Sequence, residues 1–212
     1  MNLGEPKFRR RAADRPDEIV QAALAVFAER GFAAARLDDI ARRAGVSKGA
    51  LYLYFETKED IFRAVVSRAI APNIQAIRAM AAAHPGPLSS LMRGVTTQMA
   101  AMAEASPLAG VMKMVIGEAR NFPELARVWH DELIAHALGA VVEAVKSAQA
   151  RGEVKPGDAR IYALQLIAPL LVSLLWRETF VPVGAEPFVL KTVMAQHTDT
   201  LLNGMLTEGA RR

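Results

Sequence analysis

Apolar residues recur along this chain at spacings of three and four, and almost nowhere in strict alternation. Ile19, Ala22, Ala23, Val26 and Phe27 open the series and draw one stripe down a helix expected over roughly 16–30. Pro16 suits the first position of that helix, and Asp17 and Glu18 suit its positive end. Gly31 fits a left-handed cap with Phe32 folding back. Short helices are expected over roughly 37–44 and 48–55. A longer one starts after Thr57, where Thr57 and Asp60 stand at capping-box spacing, and runs to about His84 with a disturbance at Pro72. His84-Pro85-Gly86-Pro87 is a breaker. Further helices are expected over roughly 88–104, 108–120, 123–150, 158–178 and 187–207. Ser106-Pro107, Asn121-Phe122-Pro123, Lys155-Pro156-Gly157-Asp158 and the segment 181–187 separate them. Long β-branched alternation is lacking. The expected fold is all-α, with about nine helices. A three-helix unit over 16–66 follows a basic, flexible tail over 1–15, and a larger helical domain covers 67–212.

Local signals are densest over 37–55. Two short helices joined by Gly45-Val46-Ser47 cross steeply, and the close approach of their backbones requires the small side chains of Ala41 and Ala44. Gly45 fits a positive φ and Ser47 fits the N-cap of the next helix. Ile40, Val46, Leu51 and Tyr54 are spaced to face inward onto the first helix. This is a helix-turn-helix pattern, whose second helix offers its first residues to the major groove of DNA. The exposed face then carries Lys48, Gly49, Ala50, Tyr52 and Leu53. From the helix rim Tyr52 can donate its phenol to a phosphate while its ring packs on protein. Tyr54 is placed to fill the small core, to reach a phosphate, or to do both. Helix pairs with a glycine turn also occur in proteins that never touch DNA. Arg36, Arg42, Arg43, Lys48 and Lys58 tilt the reading toward DNA, and Asp38 and Asp39 keep the positive field local.

Gly31-Phe32 and the run Leu37 through Glu59 resemble the DNA-binding domain of the TetR family of bacterial transcriptional regulators. The likeness covers roughly 16–66. Ile40-Ala41, Ala44-Gly45-Val46-Ser47, Leu51-Tyr52, Tyr54-Phe55 and Lys58-Glu59 all stand at the family's spacing. The resemblance implies phosphate contacts from Tyr52, Tyr54 and Lys58, the last also through its backbone amide at a positive helix end. It implies contacts to base edges and nearby backbone from Ser47, Lys48, Gly49 and Ala50. Two positions depart from the family. Ala35-Arg36 stands where a threonine often caps the second helix, so Arg36 is the substitute candidate for the backbone contact. Ala50 replaces a threonine or serine; it cannot hydrogen-bond a base, but it can touch a thymine methyl. Lys48 is then the main polar candidate for base readout, and Arg42 and Arg43 read chiefly as a solvated face.

For the rest of the chain the resemblance implies an effector-binding and dimerisation domain. The last two helices would pack against a partner subunit. Leu164, Ile167, Ala168, Leu171, Leu174 and Leu175 do form a wide apolar surface there, which could equally be ordinary core. Met99, Met102, Met112, Met114, Phe122 and Trp129 are candidates for lining an effector pocket, although such residues at helical spacing are usually plain core. Val115 to Leu125 is similar to a C-terminal subgroup labelled AefR-like. The implied function is a ligand-released repressor, acting as a homodimer on a pseudo-palindromic double-stranded operator and responding to a lipophilic small molecule.

Composition changes this picture little. Net charge is +4, which alone says little about nucleic acid, although Lys7, Arg9, Arg10, Arg11 and Arg15 crowd the start. There is no cysteine, which excludes disulfides, thiolate metal sites and cysteine nucleophiles. His130 and His136 lie six apart and share no helix face, so no metal or other cofactor is expected. No nucleophile–base pair or glycine-rich phosphate loop is visible, which speaks against an enzyme. The N-terminus has no apolar h-region, and the run Ile161 to Trp176, which also contains Gln165, Pro169 and Ser173, is too short for a comfortable membrane span and reads as a buried helix with a kink or break near Pro169. The expected location is cytoplasmic.

Overall fold

A computed structural model describes residues 7–70, 75–76, 78–80, 84 and 86–211, with backbone alone for 7–14 and 69–70. Among the described residues there are ten α-helices: α1 Lys7–Ala34, α2 Leu37–Arg43, α3 Lys48–Tyr52, α4 Lys58–Ala64, α5 Leu88–Ala105, α6 Leu108–Glu118, α7 Pro123–Trp129, α8 Ala135–Ala150, α9 Ala159–Thr179 and α10 Leu190–Met205. The only β pairing among these residues is one isolated bridge, Val154 to Leu206. The fold is all-α, as the periodicity implies.

Four elements differ from the expectation. Backbone helix begins at Lys7, so Pro16 lies inside α1 and not at its start. The expected helix over 123–150 is divided by a π turn, His130–Ile134, and α4 likewise continues into a π turn, Val65–Ile70. Such turns take an extra residue into the helical ladder, which a 3.6-residue pattern does not reveal. Pro169 neither breaks nor ends α9. A helical proline leaves the carbonyl four residues earlier without its N–H partner. That carbonyl belongs to Gln165, and His197 Nε2 of α10 donates to it at 2.7 Å. The disturbance expected at Pro72 lies outside the described residues.

Two apolar clusters hold the chain together. The first joins α1–α4 to α6, α7 and parts of α9 and α10. Phe27, Phe32 and Phe62 are its fully buried aromatic centre, with ring centroids 5.4–6.1 Å apart. This cluster is continuous across the expected boundary at 66/67. The second gathers α5, α8, α9 and α10, and Met99 and Leu171 pack against both. Its buried polar atoms are paired: Thr198 Oγ1 donates to Thr96 Oγ1 at 3.0 Å, and Thr96 donates to the Met92 carbonyl at 2.9 Å. With the turn that follows it, α9 (Ala159–Val183) is long and apolar enough to cross a membrane by length and composition, which the shorter run legible in the sequence does not suggest. Ala163, Leu166, Ile167, Leu170 and Leu174 of α9 nonetheless pack into protein.

That inward face corrects part of the expected partner surface. Ile167 and Leu174 are only 7% and 1% exposed and belong to the protomer's own core. Leu171 and Leu175 are half-buried against it. Leu164 is 56% exposed, and Ile161 and Val172 share its outward stripe. The expected pocket residues are mostly packed as well. Met112, Met114 and Trp129 are buried, and Phe122 stacks edge-on against Phe32, 5.1 Å between centroids. An open cleft of about 740 Å³ lies elsewhere, lined by Gln75, Arg78, His136, Glu143 and small residues of α8.

Candidate nucleic-acid interface

The turn between α2 and α3 is built from short-range hydrogen bonds. Gly45 has φ 68°, which admits glycine without strain. Its N–H bonds the Arg42 carbonyl at 3.2 Å, and the Val46 N–H bonds the Ala41 carbonyl at 3.0 Å. This is a Schellman closure, which satisfies the last carbonyls of α2 and reverses the chain. Ser47 then caps α3 by accepting from the Ala50 N–H at 3.1 Å. Thr57 and Asp60 complete the reciprocal capping box that starts α4. Arg36 occupies the N-cap position of α2 without any side-chain cap, as expected from a chain lacking threonine there.

Buried Ile40 and Leu51 seat the pair on α1, with Val46 half-buried between them. Tyr54 does not join that core. It is 38% exposed, and Phe55, the next residue, is buried instead. Tyr52 is 45% exposed and Leu53 projects further still. Ser47, Lys48 and Gly49 are exposed at the start of α3, and Ala50 is half-buried.

Six of the eight predicted residues, all but Gly49 and Tyr54, fall into two groups around α3. Arg36, Lys48, Tyr52 and Lys58 line one shallow cleft, together with Ala35, Leu37 and Asp38. Ser47 and Ala50 line another with Ala44, Gly45, Val46, Glu18 and Arg15. By sequence position Arg15 belongs to the expected tail. Helix formation upstream of Pro16 brings it to the site, and the signal that could have found it is the run of helix-forming Arg and Ala residues before the proline.

Acidic side chains hold Lys48 and the neighbouring Arg30, Arg42 and Arg43 in place. Lys48 Nζ lies 2.9 Å from Asp38 Oδ1, both about half exposed, and this hydrogen bond raises the lysine's pKa, aided by the carboxylate's charge. Asp39 pairs with Arg30 at 2.6 Å and Arg42 at 3.1 Å. Arg43 bonds Glu29 at 2.7 Å and holds that carboxyl below the usual range. Arg42 and Arg43 are thus engaged on the protein's own surface.

Lys58 departs most from its expected role. Its ammonium donates to the carbonyls of Phe32 at 2.5 Å, Ala35 at 3.1 Å and Ala33 at 3.2 Å, and sits 4.5 Å from the Phe32 ring centroid. All three protons are directed into residues 32–35, a strap that follows the break in α1 at Gly31 (φ 77°, ψ 170°) and leads to α2. Its backbone N–H still opens α4. From the opposite side Glu118, at the end of α6, accepts from the Phe32 N–H at 2.8 Å and the Ala33 N–H at 2.7 Å. Nothing in its immediate sequence surroundings assigns Glu118 this role. Among the described residues no group of three or more His, Asp and Glu side chains gathers as for a metal ion. His130 Nδ1 bonds its neighbour Asp131 instead.

A five-residue helix with an exposed, cationic start, capped by serine and seated on a longer helix, defines a helix-turn-helix DNA-binding head on a helical body. Residues 19–65 match the profile of bacterial regulatory proteins of the tetR family, and residues 82–187 match the Tetracyclin repressor-like C-terminal domain. The chain belongs to the TetR family and is a DNA-binding transcriptional regulator, not an enzyme. The HTH-type transcriptional repressor BepR of Brucella suis is 29% identical over 76% of this chain and 78% of its own length. Two solved structures share the fold. SmeT, repressor of the Stenotrophomonas maltophilia multidrug efflux pump SmeDEF, superposes in its triclosan complex with TM-score 0.76 over 92% of this chain and 93% of its own, at 24% identity. FadR of Bacillus subtilis, in complex with stearoyl-CoA, gives TM-score 0.73 over 89% and 98%, at 20% identity.

Proposed function

We propose that this regulator is a homodimeric, ligand-released repressor of a pseudo-palindromic operator, working in the cytoplasm. The observation that carries the reading is the exposed start of α3, where Ser47, Lys48 and Gly49 stand clear of the core beside Tyr52. Tyr52, Tyr54 and Arg36 contact phosphates, as does the Lys58 backbone N–H. Lys48 exchanges Asp38 for a base edge when the helix enters the major groove, and Gly49 and Ala50 allow close approach. Repression is supported by the likeness to BepR, which is named a repressor.

The partner subunit covers the outward stripe of α9, Ile161, Leu164 and Val172, with exposed Phe188 and Val189 beside it. A second copy of the same stripe makes a two-fold interface and sets the separation of the two heads. The effector is a lipophilic small molecule. The complexes of SmeT with triclosan and FadR with stearoyl-CoA support that class. Met99 packs against both apolar clusters and Met102 against the second, and methionine repacks readily around a guest. Met112, Phe122 and Trp129, in or against the first cluster, are the further candidates for the lining. A ligand that binds the DNA-incompetent state more tightly lowers operator affinity by that difference.

Selection of bound sequences from a random DNA pool tests the reading. A palindromic winner is expected, with base preference relaxed in Lys48→Ala and affinity lowered evenly across sequences in Tyr52→Phe. A folded dimer that enriches no sequence would overturn it. Triclosan and stearoyl-CoA are the first probes for release; a thermal shift together with loss of operator binding is the expected response.

A further inference from the structure

The strap over 32–35 is held from two sides by charged groups of opposite sign. Its N–H groups at Phe32 and Ala33 point to the Glu118 carboxylate of the body, and its carbonyls at Phe32, Ala33 and Ala35 point to the Lys58 ammonium of the head. Glu118 also fixes the chain on its own side. Its backbone carbonyl accepts from Asn121 N–H and Phe122 N–H, both at 2.9 Å, and Phe122 presses its ring on Phe32. The fit is close. Gly31 has φ 77°, and a Cβ there would come within 2.6 Å of Glu118 Oε1. Along the same helix pair Gly110 of α6 lies against Ala28 of α1, where a Cβ would meet the Ala28 Cβ at 3.0 Å. Only part of the clamp satisfies a buried group: the Phe32 N–H belongs to a fully buried residue, whereas Ala33 is exposed and water could take its N–H. Next along the chain comes α2, which begins at Leu37 without a side-chain cap, so its entry is set by the strap.

We propose that Glu118 is the positioning residue that carries the state of the helical body to the DNA-binding head. It grips the Phe32–Ala33 backbone, and the strap in turn sets the placement of α2 and α3. This rests on the DNA-binding, dimeric reading above. It adds a route through the end of α1 beside any motion of α4. A ligand that shifts the end of α6 moves the strap directly, because the carboxylate and the Phe122–Phe32 contact move together.

The test uses full-length Glu118→Gln, which keeps the volume and removes the charge and one acceptor. Two arms are read. In hydrogen exchange, protection at Phe32 and Ala33 and along α2 is expected to fall about tenfold or more, with α9 and α10 unchanged. On the selected operator, wild-type protein discriminates against half-site spacings altered by one base pair. The variant is expected to lose that discrimination while its base preference within each half-site stays the same. Glu118→Asp, which keeps the charge but shortens the reach, is expected to fall between, and it serves in place of the Gln variant if that one fails to fold. Exchange that rises only at Phe32 and Ala33, or a spacing preference equal to wild type, would overturn the proposal. A wild-type protein that selects no DNA would sink the functional reading instead, and the exchange arm would still decide the clamp.

Discussion

Lys58→Met separates two roles for one lysine. The substitution keeps the length and apolar stem of the side chain and removes the ammonium. Three charge-assisted bonds to Phe32, Ala33 and Ala35 carbonyls disappear, together with the cation–π packing over the Phe32 ring. Buried bonds of this kind contribute about 1.5–3 kcal/mol each. Here two of the three are only part-buried and one is exposed, so the carbonyls regain water in the variant. A net loss of about 2 kcal/mol follows after that discount. For a chain of this size each kcal/mol moves Tm by about 2–4 °C, so a fall of about 4–8 °C is expected. Arginine should not rescue, because its planar fork cannot point three protons at one tripod of carbonyls. Operator affinity should drop through the displaced strap, while the slope of log K against log salt stays at the wild-type value. An ammonium bound to a phosphate would instead lower that slope by about one on removal. An unchanged Tm with a reduced slope would refute the assignment and return the ammonium to DNA.

The other predictions concern capping, the proline in α9 and acid. Ser47→Ala removes the bond to Ala50 N–H and should cost about 1 kcal/mol, read by denaturant titration, with a larger relative loss of operator affinity because α3 is only five residues long. His197→Ala orphans the Gln165 carbonyl and should cost about 1 kcal/mol, but far less in a Pro169→Ala background, where a new N–H supplies the bond; equal costs in both backgrounds would refute the pairing. Glu153 accepts from Arg151 at 2.6 Å and from the Leu88 N–H at 2.9 Å, and the Arg151 hydrogen bond foremost holds its pKa below the usual carboxylate value. Its folded pKa lies below its unfolded one, so its contribution is present above about pH 4.3 and lost as the pH falls through the folded value. Glu153→Gln should therefore flatten the acid limb of a stability-against-pH curve while costing stability at neutral pH.

The features legible in the sequence are those whose partners lie within a few residues. Ser47 with Ala50, Thr57 with Asp60 and the turn at Gly45 are three- to five-residue relations, and spacing plus residue type is sufficient to specify them. The same holds for the amphipathic stripe of α1 and for most helix ends near proline. Facing within a helix that is apolar all round is another matter. Leu164 and Ile167 look alike in α9, and only the packing of α5, α8 and α10 makes one outward and the other core. Tyr54 and Phe55 differ for the same reason, since packing decides which of two neighbours the short end of the motif turns onto α1. The longest-range contacts are invisible in the sequence: Lys58 finds carbonyls 23 to 26 positions back, and Glu118 reaches amides 85 and 86 positions away. The sequence by itself determined the class of protein and the local shape of its DNA-binding motif, because those rest on hydrogen bonds closed within a turn or two of chain. Only the tertiary structure decided what holds that motif to the body, because a charge at one point of the chain finds its partner elsewhere only after the helices between them have packed.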